Sequence, residues 1–237
     1  MDIDLKHWED HSEELSEIKP LVKDIQSVGM CGSPQPEYLF CLSYSLRNKG
    51  EIVEIGTCAG TSLIVLAFAQ KLKGNGSVVN TIDLKKHPSL DLHVAKANVK
   101  DWANIINGDS FEISKKWDKP IELLWIDGDH RYQGAFSDIS NWEKFVVKGG
   151  MIALHDYRDG TGVSRAVYET LLAKPWIWRV VSDRKYGSIF VVERVADDGG
   201  ATKQWADTLS DQSKDSISSF CRSFLSRLKG RLLGARS

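Results

Sequence analysis

The chain has 237 residues, 42% hydrophobic and 27% charged, which is ample apolar material for one α/β domain with short extensions. A formal net charge of −1 supplies no global attraction for nucleic acid, which is excluded as an expected partner. The opening MDIDLKHWEDHSEE is acidic and polar, unlike a secretory signal, and no run approaches the ~18 apolar residues of a membrane span. A cytoplasmic location is therefore expected. Cys31, Cys41, Cys58 and Cys221 lie far apart, with no CxxC pair, and read as free thiols in a reducing compartment.

Taken in chain order, helices are expected around 10–27 and 36–48, making residues 1–48 an N-terminal helical cap. The second opens with Pro36 as a first helical residue and sets Tyr38, Leu39, Leu42 and Leu46 at helical spacing. The pattern then changes. EIVEI (51–55) is a short β-rich run, followed by a glycine loop and the apolar helix TSLIVLAFAQKLK. SVVNTI (77–82), ANII (103–106), IELLWI (121–126) and GMIALH (150–155) are further strand patterns, the last entered through Gly149 and Gly150. Helical patterns fill the gaps, and another spans about 161–173. This alternation implies right-handed βαβ units and a parallel sheet covered on both faces. WIWRVVSD and KYGSIFVVERV follow with too few residues between them for a crossover, so they should pair as an antiparallel hairpin. Residues 49–195 thus read as one catalytic domain. Residues 196–215 are polar and glycine-bearing, a linker composition. Residues 216–237 read as a basic amphipathic helix, with Ile217, Phe220, Cys221, Phe224, Leu225, Leu228 and Leu232 on one stripe and Arg222, Arg227, Lys229 and Arg231 elsewhere. Such a stripe suits packing in a homo-oligomer or peripheral contact with an anionic membrane.

Three strand ends carry groups suited to a nucleoside-like ligand. Glu54 precedes a turn through Gly56, Thr57 and Gly60 into a helix beginning near Thr61. The glycines admit a ligand where a Cβ would intrude, and the helix start offers free N–H groups. No glycine stands at position 58, so this is not the dinucleotide GxGxxG, and no Gly-Lys-Ser/Thr follows, so it is not a P-loop. Glu54 suits an ammonium group better than a pyrophosphate. Asp83 ends the second strand, where an acid grips a ribose diol. Asp109 and Ser110 after the third strand could meet an adenine edge or cap the helix that begins there.

Glu54-x-Gly56-x-x-x-Gly60, Asp83 and Gly108-Asp109-Ser110 resemble the successive cofactor motifs of class I S-adenosylmethionine-dependent methyltransferases. WIDGDHRYQGAFSDISNWEKFVVKGGMIALHDY (125–157) is similar to metal-assisted O-methyltransferases of the macrocin O-methyltransferase and cephalosporin-hydroxylase-like group. The resemblance covers about residues 30–193. It implies a Rossmann-like, seven-stranded, mostly parallel methyltransferase sheet with an antiparallel C-terminal hairpin, using S-adenosylmethionine to methylate a small-molecule hydroxyl of a sugar or natural product. The alternatives are an S-adenosylmethionine-binding protein without turnover, or a metal-independent N-methyltransferase.

Asp127 and Asp129 end the fourth strand, and His155 and Asp156 the fifth, at the edge where a parallel sheet opens its ligand crevice. A divalent cation makes such a gathering of charges favourable. The resemblance implies metal ligands at Asp127, His155 and Asp156, with magnesium or manganese as the ion. His155 stands where many relatives have an acid or amide, and magnesium is a poor partner for imidazole. Asp129 and His130 are the candidates for the base that removes the hydroxyl proton. The resemblance favours Asp129, while His130 has the more convenient intrinsic pKa. Trp125, Trp142, Trp176 and Trp178 are expected in packing, His87 and His93 in solvent, and Tyr157 and Arg158 are candidates to line an acceptor pocket.

Overall fold

A computed structural model describes residues 3, 5–26, 34–74 and 76–197. The expectations for the amphipathic helix and nearly all of the linker, with Cys31 and Cys221, lie outside the described residues. Seven strands, β1 (Glu51–Ile55), β2 (Val79–Asp83), β3 (Ala103–Asn107), β4 (Ile121–Ile126), β5 (Val146–Leu154), β6 (Trp178–Asp183) and β7 (Phe190–Arg194), form one sheet ordered β3-β2-β1-β4-β5-β7-β6. The first five pair in parallel, and β7 runs antiparallel to both β5 and β6. The hairpin is the consequence of a six-residue connection from Asp183 to Phe190, too short to carry a helix back across the sheet.

The helices that precede the sheet are α1 (Lys6–Asp10), α2 (Ser12–Leu15), α3 (Lys19–Gln26) and α4 (Gln35–Tyr44). The single helix expected at 10–27 is thus broken into short pieces, and the second ends at Tyr44 instead of residue 48. Glu122 explains that second stop. It is a buried acid within β4, and its two carboxylate oxygens accept from the backbone N–H of Arg47 at 2.6 Å and Lys49 at 2.7 Å. Those amides serve the acid and so cannot continue a helix.

Between the strands lie α5 (Thr61–Lys73), α6 (Leu90–Lys96), α7 (Ser110–Ser114), α8 (Tyr132–Trp142) and α9 (Gly162–Val167), the last widening into a π turn at Tyr168–Leu172. Alternation along β4 separates the two cores. Leu123 and Trp125 pack with α4 and α5 residues such as Leu39 and Leu66, whereas Leu124 and Ile126 pack with Ile139, Trp142 and Val167 of α8 and α9. Trp125, Trp142 and Trp178 are buried and Trp176 packs on the second core, as the sequence suggests. β5 begins at Val146, earlier than the run at 150, because Val146 pairs with Ile121 before the register shifts through Lys148–Gly150. Among the described residues no helix is long and apolar enough to cross a membrane.

The sheet reverses direction of winding at β1, which has β2 on one side and β4 on the other. That switch point opens a crevice at the carboxyl ends of the strands.

Candidate active site

The strand ends are level. Ile55 pairs with Ile82 and Ile126, and Ile126 with Leu154. The ladder continues one residue further, with Gly56 N–H donating to Ile82 O at 2.9 Å, Asp127 N–H to Ile55 O at 2.8 Å and His155 N–H to Ile126 O at 3.0 Å. Gly56, Asp83, Asp127 and His155 therefore emerge side by side. A cleft of about 840 Å³ opens above the first three.

Of the residues expected to bind a cofactor, Gly56, Asp83, Asp109 and Ser110 line this cleft. Asp83 receives the glycine loop itself: its Oδ2 accepts from the N–H of Thr57 and of Cys58, both at 3.0 Å, and its Oδ1 from Lys85 N–H at 3.1 Å. Asp109 caps α7, accepting from Phe111 N–H at 2.8 Å, while still facing the cleft. Glu54, Thr57, Gly60 and Thr61 do not line it. Glu54 is fully buried beneath the loop, where Ser62 and Thr81 donate hydroxyl hydrogen bonds to it and Thr57 bonds to Thr81. Burial pushes its carboxyl up to about 7, against the pull of those two hydroxyls. Gly60 takes φ 95° at the start of α5. His93 corrects the expectation that it is solvated: its ring bonds to Ala59 O at 2.8 Å and braces the loop from α6.

Asp138 was not anticipated. It lines the cleft, accepts from Ser110 Oγ at 2.6 Å, and burial raises its carboxyl to about 6. A signal existed, since Asp138 occupies a place in the apolar stripe Ala135, Ile139, Trp142, all buried. Leu84 and Phe111, with 72% and 42% of their surface exposed, add apolar area to the cleft wall.

At the β4 and β5 end, Asp127, His130, His155 and Asp156 bring one ligand atom each within 4.8 Å of one another. Asp127 Oδ1 lies 2.9 Å from His155 Nδ1 and 3.3 Å from His130 Nε2; Asp156 Oδ2 lies 3.0 Å from His130 Nδ1 and 3.5 Å from His155 Nδ1. Burial works to raise the Asp127 pKa, but the two imidazoles outweigh it and hold the group below the usual carboxylate range. His130 is held above its ordinary value by its bond to Asp127, which exceeds the opposing effect of burial, with Asp156 adding to it. Asp156 adopts φ 51°, a left-handed conformation that turns its carboxylate back toward the cluster.

Asp129 stands apart from these four. Arg131 grips both its oxygens, Nε at 2.9 and 3.0 Å and Nη2 at 2.7 Å, and its backbone N–H adds a fourth bond at 2.9 Å. Those bonds hold the Asp129 carboxyl below its ordinary pKa. Tyr157 is buried and stacked on Phe190 at 4.3 Å, a packing position, while Arg158 is exposed with Nη2 4.0 Å from Asp156 Oδ1.

Residues 53–157 match the methyltransferase domain family. Among curated proteins, the chain is 30% identical over 120 residues to protein R132 of Acanthamoeba polyphaga mimivirus, covering 45% of this chain and 51%, about half, of that relative. Among solved structures, the O-methyltransferase TomG of Streptomyces achromogenes, in complex with S-adenosylmethionine, aligns at a TM-score of 0.58 and 19% identity over 78% of this chain and 90% of its own. The O-methyltransferase of Bacillus cereus, with S-adenosylhomocysteine, aligns at 0.53 and 18% over 81% and 100%. The TDP-rhamnose 3′-O-methyltransferase CalS11 aligns at 0.51 and 16% over 79% and 94%. The fold is that of these methyltransferases.

Proposed function

We propose that this chain, whose residues 53–157 carry a methyltransferase domain, is an S-adenosylmethionine-dependent O-methyltransferase acting on a small-molecule hydroxyl with a divalent metal. The observation that carries this reading is the juxtaposition of the cleft at the switch point with the Asp127, His130, His155, Asp156 cluster at its edge. S-adenosylmethionine would supply a methyl group on a sulfonium, and a divalent cation would supply Lewis acidity that eases loss of the acceptor's proton.

The residues present fit both groups. Gly56 lets the end of β1 lie against the Asp127 backbone at the cleft wall, and Asp83, Asp109 and Ser110 offer acceptors and a hydroxyl to the ligand's polar edges, with Asp138 behind Ser110. Glu54, Thr57, Gly60 and Thr61 shape the loop from beneath. His155 Nδ1 is buried, lies near two carboxylates and has no aligned hydrogen-bond partner, so that Asp127, His155 and Asp156 would together hold a cation. His130 lines the cleft with its ring nitrogens toward Asp127 and Asp156, and it would serve as acceptor of the hydroxyl's proton once a cation takes those two carboxylates. Asp129 is tied to Arg131 and positions the turn.

Two measurements test the reading. Calorimetric titration should show binding of S-adenosylmethionine, and methyl transfer from labelled cofactor to hydroxylated sugars should cease with chelator and return with added metal. His130→Gln should lower turnover about 10²–10⁴-fold with cofactor affinity unchanged, whereas Asp129→Asn should retain most of it. Binding without turnover on any hydroxyl, amine or thiol panel would reduce the chain to a cofactor-binding protein.

A further inference from the structure

The Asp127, His130, His155, Asp156 cluster joins two imidazoles to two carboxylates, and the residue that orients one of those imidazoles lies outside the matched domain. Gln35, the first residue of α4, is buried, and its Oε1 lies 3.0 Å from His155 Nε2. Its amide Nε2 donates to Ser188 Oγ at 3.2 Å, in the turn between β6 and β7. With the amide nitrogen directed at Ser188, the oxygen faces the imidazole, and in this arrangement His155 Nε2 is the donor. In neutral imidazole the proton then sits on Nε2 and the Nδ1 lone pair is free. That lone pair points into the cluster, 2.9 Å from an Asp127 oxygen. At that distance a lone pair and a carboxylate oxygen repel unless a cation lies between them: a proton on Nδ1 while no metal is bound, or the metal that takes the proton's place. Room for Gln35 is made by Gly187, where a Cβ would come within 2.5 Å of the Gln35 amide nitrogen.

We infer that the Asp127, His155, Asp156 site selects a first-row transition cation such as manganese or cobalt over magnesium, and that Gln35 is the positioning residue that enforces it by presenting His155 Nδ1 as a ligand. This rests on the metal-holding role proposed above. The chemistry is that of softness: magnesium prefers oxygen and keeps its water, whereas imidazole nitrogen suits manganese, iron, cobalt and zinc. An outer partner accepting from the second ring nitrogen fixes the tautomer and raises ligand basicity.

The test uses the full chain stripped of metal and titrated with manganese, cobalt and magnesium in turn. Manganese and cobalt should bind at least about 100-fold more tightly than magnesium. Because most sites favour transition ions to some degree, His155→Asp is the deciding comparison: the preference should shrink by about tenfold or more while magnesium still binds. Pulsed electron paramagnetic resonance of the manganese form should show coupling to an imidazole nitrogen that vanishes in His155→Asp. Gln35→Leu should weaken manganese binding about 10–100-fold, and Gln35→Glu, which also accepts from Nε2, should restore it. An unchanged preference in His155→Asp, or manganese with no nitrogen coupling, would overturn the inference. S-adenosylmethionine titrated separately keeps the two readings apart: failure of the cofactor to bind beside nitrogen-coordinated manganese would count against the transferase reading alone.

Discussion

Residues that look alike in sequence divide by environment. Glu54, Asp83 and Asp127 all end parallel strands, yet Asp83 and Asp127 face the cleft and Glu54 lies sealed below it. A carboxyl whose folded pKa is raised binds its proton more tightly folded than unfolded. Its stabilising effect is complete below about 4.5 and is lost as pH climbs through about 7. Glu54→Gln should therefore flatten the decline of thermal stability between about pH 5 and pH 8, a difference of roughly 2–3 kcal/mol at the upper end. Equal pH profiles of the two proteins would show that Glu54 is ionised at no cost. Strand-end position, which a run such as EIVEIG makes plain, says that an acid is near the crevice. Whether it enters depends on the next residues' turn, and here Ser62 and Thr81 hold Glu54 under the loop.

Elements were legible where periodicity was strong and unbroken. The β1–α5 unit, β4 and the closing hairpin fall where apolar runs and connection lengths put them. The boundaries that moved did so for tertiary reasons: α4 stops because Glu122 claims the amides after it, and β5 starts early because Ile121 offers Val146 a partner. Glycines at element ends also separate by surroundings. Gly56 and Gly149 both take positive φ, but a Cβ on Gly56 would lie 2.2 Å from Asp127 O, whereas Gly149 has nothing within 4 Å. Gly149→Ala should cost only the left-handed backbone, about 1–2 kcal/mol. Gly56→Ala must also displace the Asp127 backbone, and should lose more than that in thermal unfolding while weakening metal binding. Similar losses in both, with metal affinity intact, would show that the β1 and β4 ends move independently.

For the molecule as a whole, the C-terminal stripe at 217–232 remains a reading of sequence. With no acid between 216 and 237, it suits anionic lipid or a second copy of the chain, each basic residue near such a surface contributing about 1 kcal/mol. Sedimentation of the full-length protein with anionic liposomes at low salt, lost in a chain ending at residue 212, would assign the stripe to membrane contact; both proteins staying in the supernatant would leave a protein interface as its role. Sequence by itself determined the alternation of strands and helices, the hairpin, and the order of acids along the crevice, because hydrophobic period and connection length are local properties. Tertiary structure alone decided what those acids do. The Asp129–Arg131 pairing is local in sequence, but nothing in periodicity announces that both oxygens are taken. Gln35 and His155 stand 120 residues apart and meet only because α4, packed on α5, brings its first residue to the end of β5, where Gly187 leaves space for the amide. A hydrogen bond that sets a tautomer depends on ångström-scale placement of side chains from distant segments, and no one-dimensional pattern encodes that.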